Sequence, residues 1–286
     1  MVRILSFGAY VKSVNLMLCT VMSFRGLRFI YKMGLRGNWL YRQATEVFSV
    51  RFRAVATDYD GTLAHEGRVD PSLVRLLQSV RASRRKLLLV TGRHIPDLRS
   101  VFPYTSIFDL VVGENGALLH DPATGEEKLL SEPVPRTLVA ELRRRRVVPL
   151  SLGRGIVATW RSQEASVLDA ISNLGLDLQV IPNKGSIMVL PAGVDKGSGL
   201  KAALRKVGVS ADKVVGLGDA ENDIAFLRLC GCSVALANAL ESVKESADIV
   251  TEGEEGRGAA EILQALLDDD LAGYESSLAH SRVQSR

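Results

Sequence analysis

From residue 52 onward the chain alternates short apolar runs with longer stretches of helical periodicity. The segments "FRAVATD" (52–58) and "KLLLVTGR" (86–93) begin with continuous aliphatic and β-branched residues, as expected of strands that are buried on both faces of a sheet. Between them, Asp70 at an N-cap, Pro71 at the first helical position and an apolar stripe predict a helix. Because strands joined through helices pair in parallel with right-handed crossovers, this alternation predicts a doubly wound parallel α/β sheet.

The middle of the chain has a different pattern. Between about residues 130 and 190 a helix and two strands are followed by a second helix and two strands, which predicts an α+β insert with an antiparallel sheet. The alternating pattern then resumes. We therefore predict a Rossmann-like core domain from residues 51–129 and 191–270, an inserted α+β cap domain at 130–190, and a flexible tail at 271–286.

Residues 1–50 form a basic leader. Residues 1–53 contain nine Lys and Arg against one acid, Glu46, which gives a charge of +8. The apolar run at 13–24 is too short for a membrane span, and no transmembrane segment is expected. We expect a disordered extension or a start codon assigned too far upstream, and an amphipathic helix on a membrane surface is the alternative.

Charge and cysteine content argue against a nucleic-acid-binding protein and against a disulfide-rich protein. The net charge of the whole chain is +4, so residues 54–286 carry −4, and no nucleic-acid partner is expected. Three cysteines cannot build a disulfide framework, which favours a reducing, cytoplasmic location. Cys230 and Cys232 lack the spacing of a redox or metal motif, so we interpret them as structural thiols.

Polar residues cluster where predicted strands end or helices begin. In such a sheet these positions lie at one edge, where ligands bind. Clustered carboxylates repel one another unless a hard cation such as Mg²⁺ lies among them, and a lysine with a hydroxyl suits a phosphate. An aspartate in that setting can attack phosphorus. The residues concerned are Asp58, Asp60, Thr91, Lys196, Asp219, Asn222 and Asp223.

Four of these segments occur in a familiar order. They are "DYDGTL", "TGR", "DKGSGL" and "GDAENDIAFL", and together they resemble the four motifs of the haloacid dehalogenase (HAD) superfamily of phosphohydrolases. The "GENGA" segment and the insert that follows it resemble the type IIB, or Cof-like, branch, which includes sugar-phosphate and phosphoglycolate phosphatases. The resemblance covers residue 52 to about residue 270.

The resemblance implies a role for each acidic residue. Asp58 is expected to be the nucleophile that forms an aspartyl-phosphate, with one oxygen on Mg²⁺. Asp60 is expected to act as general acid and then general base, with its main-chain carbonyl on the metal. Asp219 is expected to be the third metal ligand, and Asn222 and Asp223 are expected to order the metal site from just outside it.

The resemblance also assigns the phosphate-binding residues, which are Thr91, Gly92 and Lys196. Arg93 either reaches a substrate anion or pairs with a carboxylate, and Asn115 either contacts substrate or serves the turn in "ENG". Possible substrate contacts are Arg93, Asn115, Asn183 and Lys184.

These expectations define a Mg²⁺-dependent phosphatase for a small phosphorylated metabolite, either a sugar phosphate or a phosphoglycolate-like compound. One alternative is a phosphomutase. Another is a regulatory or interaction module of the same fold, associated with a membrane or an ATPase partner. The sequence does not define the oligomeric state.

Overall fold

The computed structural model describes residues 3–6, 19–24, 27–33, 39–42 and 50–274, in two compact units, Met1–Val50 and Arg51–Arg286. The first unit contains a four-stranded antiparallel sheet in sequential order. Its strands are β1 (Arg3–Ser6), β2 (Cys19–Phe24), β3 (Leu27–Met33) and β4 (Trp39–Arg42).

This sheet lies in the segment for which the sequence favoured a disordered extension or an amphipathic helix. Strand β2 takes up the second half of the apolar run 13–24, and residues 13–18 lie outside the described residues. The β-branched and aromatic residues of β2 and β3 suit a pleated sheet, and Phe24 pairs with Leu27. Residues 19–24 of the run are therefore a paired strand in the structure.

The second unit contains two further sheets. Its strands are β5 (Ala54–Thr57), β6 (Lys86–Val90), β7 (Leu110–Gly113), β8 (Leu118–His120), β9 (Glu127–Leu129), β10 (Ser151–Leu152), β11 (Val157–Trp160), β12 (Leu178–Asn183), β13 (Ser186–Pro191), β14 (Val214–Gly218), β15 (Cys232–Ala235) and β16 (Ile249–Val250). The larger sheet has the order β16-β15-β14-β5-β6-β7-β8-β9, and the smaller has the order β10-β11-β13-β12. Six strands of the larger sheet run parallel, while β8 and β9 extend it with antiparallel pairing.

The helices of this unit are α1 (Pro71–Ala82), α2 (Ile95–Val101), α3 (Arg136–Arg144), α4 (Glu164–Asn173), α5 (Lys196–Val207), α6 (Ile224–Leu227), α7 (Glu241–Lys244) and α8 (Glu255–Asp269). Helix α1 begins as predicted, because the Asp70 side chain accepts a hydrogen bond from the Ser72 amide and Pro71 occupies the first position. Helix α5 begins with a capping box between Asp195 and Ser198.

The larger sheet is buried on both faces. Alternation along β5 and β6 directs Val55, Leu87 and Leu89 into the cluster that includes residues of α1 and α8. Ala56 and Leu88 enter the cluster on the opposite face, which includes residues of α5. The prediction of a doubly wound core with continuous apolar strands is confirmed.

The smaller sheet has two different faces. One face packs on α3 and α4 through a cluster of residues that includes Leu138, Val157, Val167 and Val189. The opposite face holds Ile156, Met188 and Leu190, which cluster with Ala117 of the larger domain. We call this inserted α+β element the cap, and its limits at residues 130 and 190 remain a prediction.

The order of the strands determines where ligands can bind. From β5 the chain proceeds to β6 and β7 on one side, whereas β14 pairs with β5 on the other side. This reversal opens a crevice beyond the carboxyl ends of β5 and β14. Within the described residues, no helix is both long and apolar enough to cross a membrane.

Candidate active site

A buried carboxylate cluster lies beyond β5 and β14. Asp58 follows β5 and Asp219 follows β14, so the pairing of these two strands brings the side chains together. Asp223 joins them from the short 3₁₀ turn Glu221–Asp223. One carboxylate oxygen from each of the three aspartates lies within 4.8 Å of the others. The parallel register of β5 and β14 therefore brings together Asp58 and Asp219, two of the carboxylates singled out in the sequence.

Lys196 lies between two of these carboxylates. Its Nζ donates to Asp58 Oδ1 and to Asp223 Oδ1, each at 2.5 Å, and its side chain is only 2% exposed. Burial opposes the charge of Lys196, but Asp223 and Asp58 outweigh it and raise the pKa of the lysine. Burial raises the pKa of Asp58 well above its ordinary value; Lys196 opposes this rise, while Asp223 and Asp219 reinforce it.

Asp223 also accepts hydrogen bonds from the backbone. Its Oδ2 accepts from the amides of Asp219 and Ala220, each at 2.9 Å, which fixes the turn after β14. With Oδ1 on Lys196, both oxygens of Asp223 are engaged. Asp223 therefore contacts Lys196 and the turn after β14, and its role of ordering the site from just outside the metal stays a prediction.

Asp219 is held from two directions. Its Oδ1 accepts from Thr62 Oγ1 at 3.0 Å, and its Oδ2 accepts from Lys184 Nζ of the cap at 2.6 Å. Burial, followed by the charge of Asp223, raises the pKa of Asp219, although Lys184 and Thr62 lower it. Gly61 allows this approach: its φ is +79°, and a Cβ there would overlap the Asp219 carboxylate and lie 2.9 Å from Lys184 Nζ.

Asp60 does not enter the carboxylate cluster through its side chain. Arg93 holds it in a bidentate pair, with Nε and Nη2 each 2.6 Å from a carboxylate oxygen. The Arg93 guanidinium also lies over the ring of Tyr59, 5.4 Å from its centroid. Of the two alternatives for Arg93, the structure shows the carboxylate pair. The Asp60 side chain is 47% exposed and faces the cleft described below.

The predicted phosphate-binding residues lie close to this centre. Thr91 is fully buried at the end of β6, and its Oγ1 accepts from the Arg93 amide at 3.1 Å. Gly92 faces the cleft, and a Cβ at this position would lie 2.6 Å from Cε of Met188 in the cap. Glycine is therefore needed at residue 92 because the cap approaches the backbone there.

The core and the cap enclose a cleft of about 530 Å³. The core wall is mostly polar, while the cap wall combines four apolar residues, among them Trp160 and Met188, with four polar residues. Six of the lining residues define the cleft, three from the core and three from the cap: Asp58, Asp60, Lys196, Trp160, Lys184 and Met188.

Three of the four predicted substrate contacts line the cleft, and the fourth does not. Asn183, Lys184 and Arg93 line the cleft. Asn115 is fully buried and accepts at Oδ1 from Nδ2 of Asn222, at 2.8 Å, which differs from the expected substrate contact. Its φ of +53° agrees with the alternative role in the turn.

A second contact between core and cap was not predicted from the sequence. The buried Glu114 carboxylate accepts from the cap amides of Arg154 at 3.0 Å and Gly155 at 2.7 Å. His94 lies beside it, with Nδ1 3.5 Å from Glu114 Oε1 and Nε2 3.0 Å from Ser151 Oγ of the cap. We call this arrangement the Glu114 anchor. The acid in "GENGA" and the paired glycines near residue 154 were its only signals in the sequence.

The residues of the acidic centre fit a hard divalent cation. The donors are all oxygen atoms, and three carboxylates face two ammonium groups, those of Lys184 and Lys196, so negative charge is in excess. Asn222 lines the cleft with a buried side-chain carbonyl that has no hydrogen-bond partner within residues 50–274. Asp58 and Asp219 could hold Mg²⁺ with this carbonyl nearby.

Comparison with known proteins defines the class. A family model for haloacid dehalogenase-like hydrolases matches residues 55–144 and 160–263. The chain therefore belongs to the haloacid dehalogenase-like hydrolase family, and the resemblance inferred from the four motifs is confirmed.

Two relatives of similar sequence are named as phosphoglycolate phosphatases. The phosphoglycolate phosphatase of Methanopyrus kandleri is 31% identical over 229 residues, which cover 75% of this chain and 97% of the relative. Phosphoglycolate phosphatase 2 of Saccharolobus solfataricus is 34% identical over 221 residues, which cover 74% of this chain and 91% of the relative.

Solved structures agree on the fold. A haloacid dehalogenase-like hydrolase from Bacteroides thetaiotaomicron superposes with a TM-score of 0.65 at 18% identity, covering 75% of this chain and 99% of that chain. A HAD subclass IIB sugar phosphatase superposes with a TM-score of 0.62 at 21% identity, covering 75% of this chain and 97% of that chain. The prediction of a Rossmann-like α/β fold is confirmed.

Proposed function

We propose that the protein is a Mg²⁺-dependent phosphatase that hydrolyses a small phosphorylated metabolite, of the sugar-phosphate or phosphoglycolate type, through an aspartyl-phosphate on Asp58. The observation that carries the proposal is the position of Asp58 at the floor of the cleft, held by Lys196 beside Asp219 and Asp223. The names of the relatives support a phosphate ester as substrate.

The first half of the reaction transfers the phosphoryl group to the protein. A carboxylate oxygen of Asp58 attacks phosphorus, the bond from phosphorus to the leaving oxygen breaks, and Asp60 gives that oxygen a proton. The Asp60 side chain faces the cleft, where it can reach a leaving group, and Arg93 fixes its orientation. Arg93 has to release Asp60, or follow it, when the proton moves.

The second half regenerates the carboxylate. Water attacks phosphorus of the aspartyl-phosphate, Asp60 takes the proton from that water, and inorganic phosphate leaves. The Lys196 ammonium, the Thr91 hydroxyl and the Gly92 amide bind the phosphoryl oxygens during both steps. Mg²⁺, held by Asp58, the main-chain carbonyl of Asp60 and Asp219, would supply the positive charge that lets an anionic nucleophile approach an anionic ester.

The cap closes the cleft over these groups and supplies contacts to the leaving group. Lys184 and Asn183 are candidates for those contacts, because both line the cleft from the β12–β13 turn. The cytoplasmic location inferred from the cysteines remains a prediction.

The test is hydrolysis of p-nitrophenyl phosphate with Mg²⁺, before and after EDTA. We expect chelation to abolish turnover and added Mg²⁺ to restore it. We expect Asp58→Asn to lower kcat/KM by at least about a thousandfold, because the amide cannot form the intermediate. Asp268→Asn, on the exposed side of α8, is the matched control and should keep full activity. Turnover by Asp58→Asn, or by the chelated wild type, would rule out this mechanism.

A further inference from the structure

Strand β11 presents a tryptophan to the cleft. Alternation along the strand buries Val157 and Thr159 on the helix side of the cap, and it directs Ala158 and Trp160 to the face that lines the cleft. Trp160 is 53% exposed in this position. A large aromatic side chain that stays exposed inside a cleft provides contact surface for a ligand.

Trp160 lies near the reacting groups. It pairs in register with Ser186 on β13, and the neighbouring Arg161 amide donates to the Gly185 carbonyl at 2.9 Å. These contacts place Trp160 beside the turn whose Lys184 ammonium is 2.6 Å from Asp219. Asp58 and Trp160 line the same cleft, so an ester whose phosphorus meets Asp58 has its leaving group in the space that Trp160 lines.

Part of the cap wall beside Trp160 is also apolar, and its polar residues are Ser151, Asn183, Lys184 and Ser186. Ile156, Ala158 and Met188 line the cleft on the same face of the sheet. The volume of about 530 Å³ is within the range of pockets that enclose ligands larger than a two-carbon acid. The wall therefore suits a leaving group that has an apolar face and some bulk.

The charges around the cleft disfavour an anionic leaving group. One of its cations already faces a carboxylate, because Arg93 is bound to Asp60. Three further acids line the cleft, where they would repel a carboxylate but could accept hydrogen bonds from hydroxyl groups. These acids are Glu66, Asp97 and Glu255, of which Glu255 pairs with His65.

We propose that Trp160 is a specificity-determining residue, and that it selects phosphate esters whose leaving group is a neutral, hydroxyl-bearing ring by contacting the C–H face of that ring. This inference rests on the proposed phosphatase function. It predicts that a hexose 6-phosphate is a better substrate than phosphoglycolate, although the relatives described above are named for the latter.

The first experiment is steady-state kinetics with glucose 6-phosphate and phosphoglycolate, both with Mg²⁺. We expect wild type to have the higher kcat/KM for glucose 6-phosphate. Trp160→Ala should raise KM for that substrate by about tenfold and leave kcat and the phosphoglycolate KM within about twofold. Trp160→Phe should recover most of the loss. Leu168→Ala, at an exposed cap position on α4 away from the cleft, is the matched control.

The second experiment measures binding without turnover. Trp39 and Trp160 are the two tryptophans of the chain, so Trp39→Phe makes Trp160 the sole indole reporter. In a Trp39→Phe/Asp58→Asn background we expect glucose 6-phosphate to change the fluorescence at lower concentration than phosphoglycolate does.

The outcomes separate the two proposals. Activity on both substrates with an equal KM change in Trp160→Ala, or a wild-type preference for phosphoglycolate, would overturn the role of Trp160 while leaving the phosphatase intact. Saturable binding of glucose 6-phosphate without hydrolysis of any ester would overturn the phosphatase and retain the ring contact. Absence of both binding and hydrolysis would overturn both.

Discussion

The two walls of the cleft each contribute a lysine to the same carboxylate cluster, but in different ways. Lys196 begins α5 in the core, is 2% exposed, and bridges Asp58 and Asp223. Lys184 lies on the β12–β13 turn of the cap, is 47% exposed, and contacts Asp219 alone through its side chain. The core cation is held by the strands and helix that form the domain. The cap cation is in place only while the turn rests against the core.

The two lysine contacts also depend on different parts of the fold. The site on the core side follows from the pairing of β5 with β14, which the hydrophobic core fixes. The site on the cap side depends on the docking of two cap turns, one through Lys184 and one through the Glu114 anchor. We therefore expect core substitutions to affect folding and chemistry together, and cap substitutions to affect chiefly substrate binding.

The largest expected effect is on Lys196. In Lys196→Met, two buried carboxylates lose their common cation, and we expect the free energy of unfolding to fall by about 3–5 kcal/mol, together with loss of phosphatase activity. Urea denaturation in EDTA measures the loss of stability. Lys184→Met is the matched control, with an expected cost of about 1 kcal/mol because its ammonium is half exposed. Equal losses in the two variants would show that the two walls do not differ in this respect.

The core residues of the site could be predicted from the sequence, whereas the contacts made by the cap could not. Asp58, Thr91 and Asp219 each follow a recognisable apolar strand, and the rules of parallel sheets place such residues at one edge. Lys196 carried a signal of its own, in "DKGSGL", where an N-cap aspartate precedes it.

The contacts made through the cap had no comparable signal. Lys184 and Glu114 reach between core and cap, and their partners depend on how two separate sheets dock. A turn such as Asn183–Lys184–Gly185 predicts a hairpin but does not specify what its side chains touch. The pairing of Arg93 with Asp60 stayed open for a similar reason, because a carboxylate and a substrate anion attract a guanidinium alike.

A smaller effect is expected at the Glu114 anchor. Glu114→Ala leaves the buried amides of Arg154 and Gly155 without their acceptor, so we expect a loss of about 1–3 kcal/mol and a rise in KM several times larger than the fall in kcat. Glu114→Gln retains one acceptor oxygen and should recover most of the KM. Hydrogen exchange at the two amides reports the anchor directly.

The control for this prediction uses the same cap residue. The Arg154 guanidinium lies 2.9 Å from the Glu127 carboxylate, and the arginine side chain is half exposed. Glu127→Gln should therefore change KM by less than about twofold. If Glu114→Ala lowered kcat alone, the residue would act on the chemistry and not on the position of the cap.

The smallest expected effect lies on the outer surface of the cap. Hydrogen bonds from Arg144 and Arg145 lower the pKa of Glu141 to about 2. Because the pKa is lower in the folded protein, the ion pairs stabilise the cap above pH 4.5, and this contribution is lost as the pH falls from 4.5 toward 2. Glu141→Gln should lower Tm by no more than about 2 °C at pH 6, and the difference from wild type should shrink at pH 3. Differential scanning calorimetry at both pH values measures it, and kcat and KM should not change. Glutamine and glutamate have similar helix propensities, so a difference in Tm that is independent of pH would assign the effect to packing on α3 and not to the ion pairs.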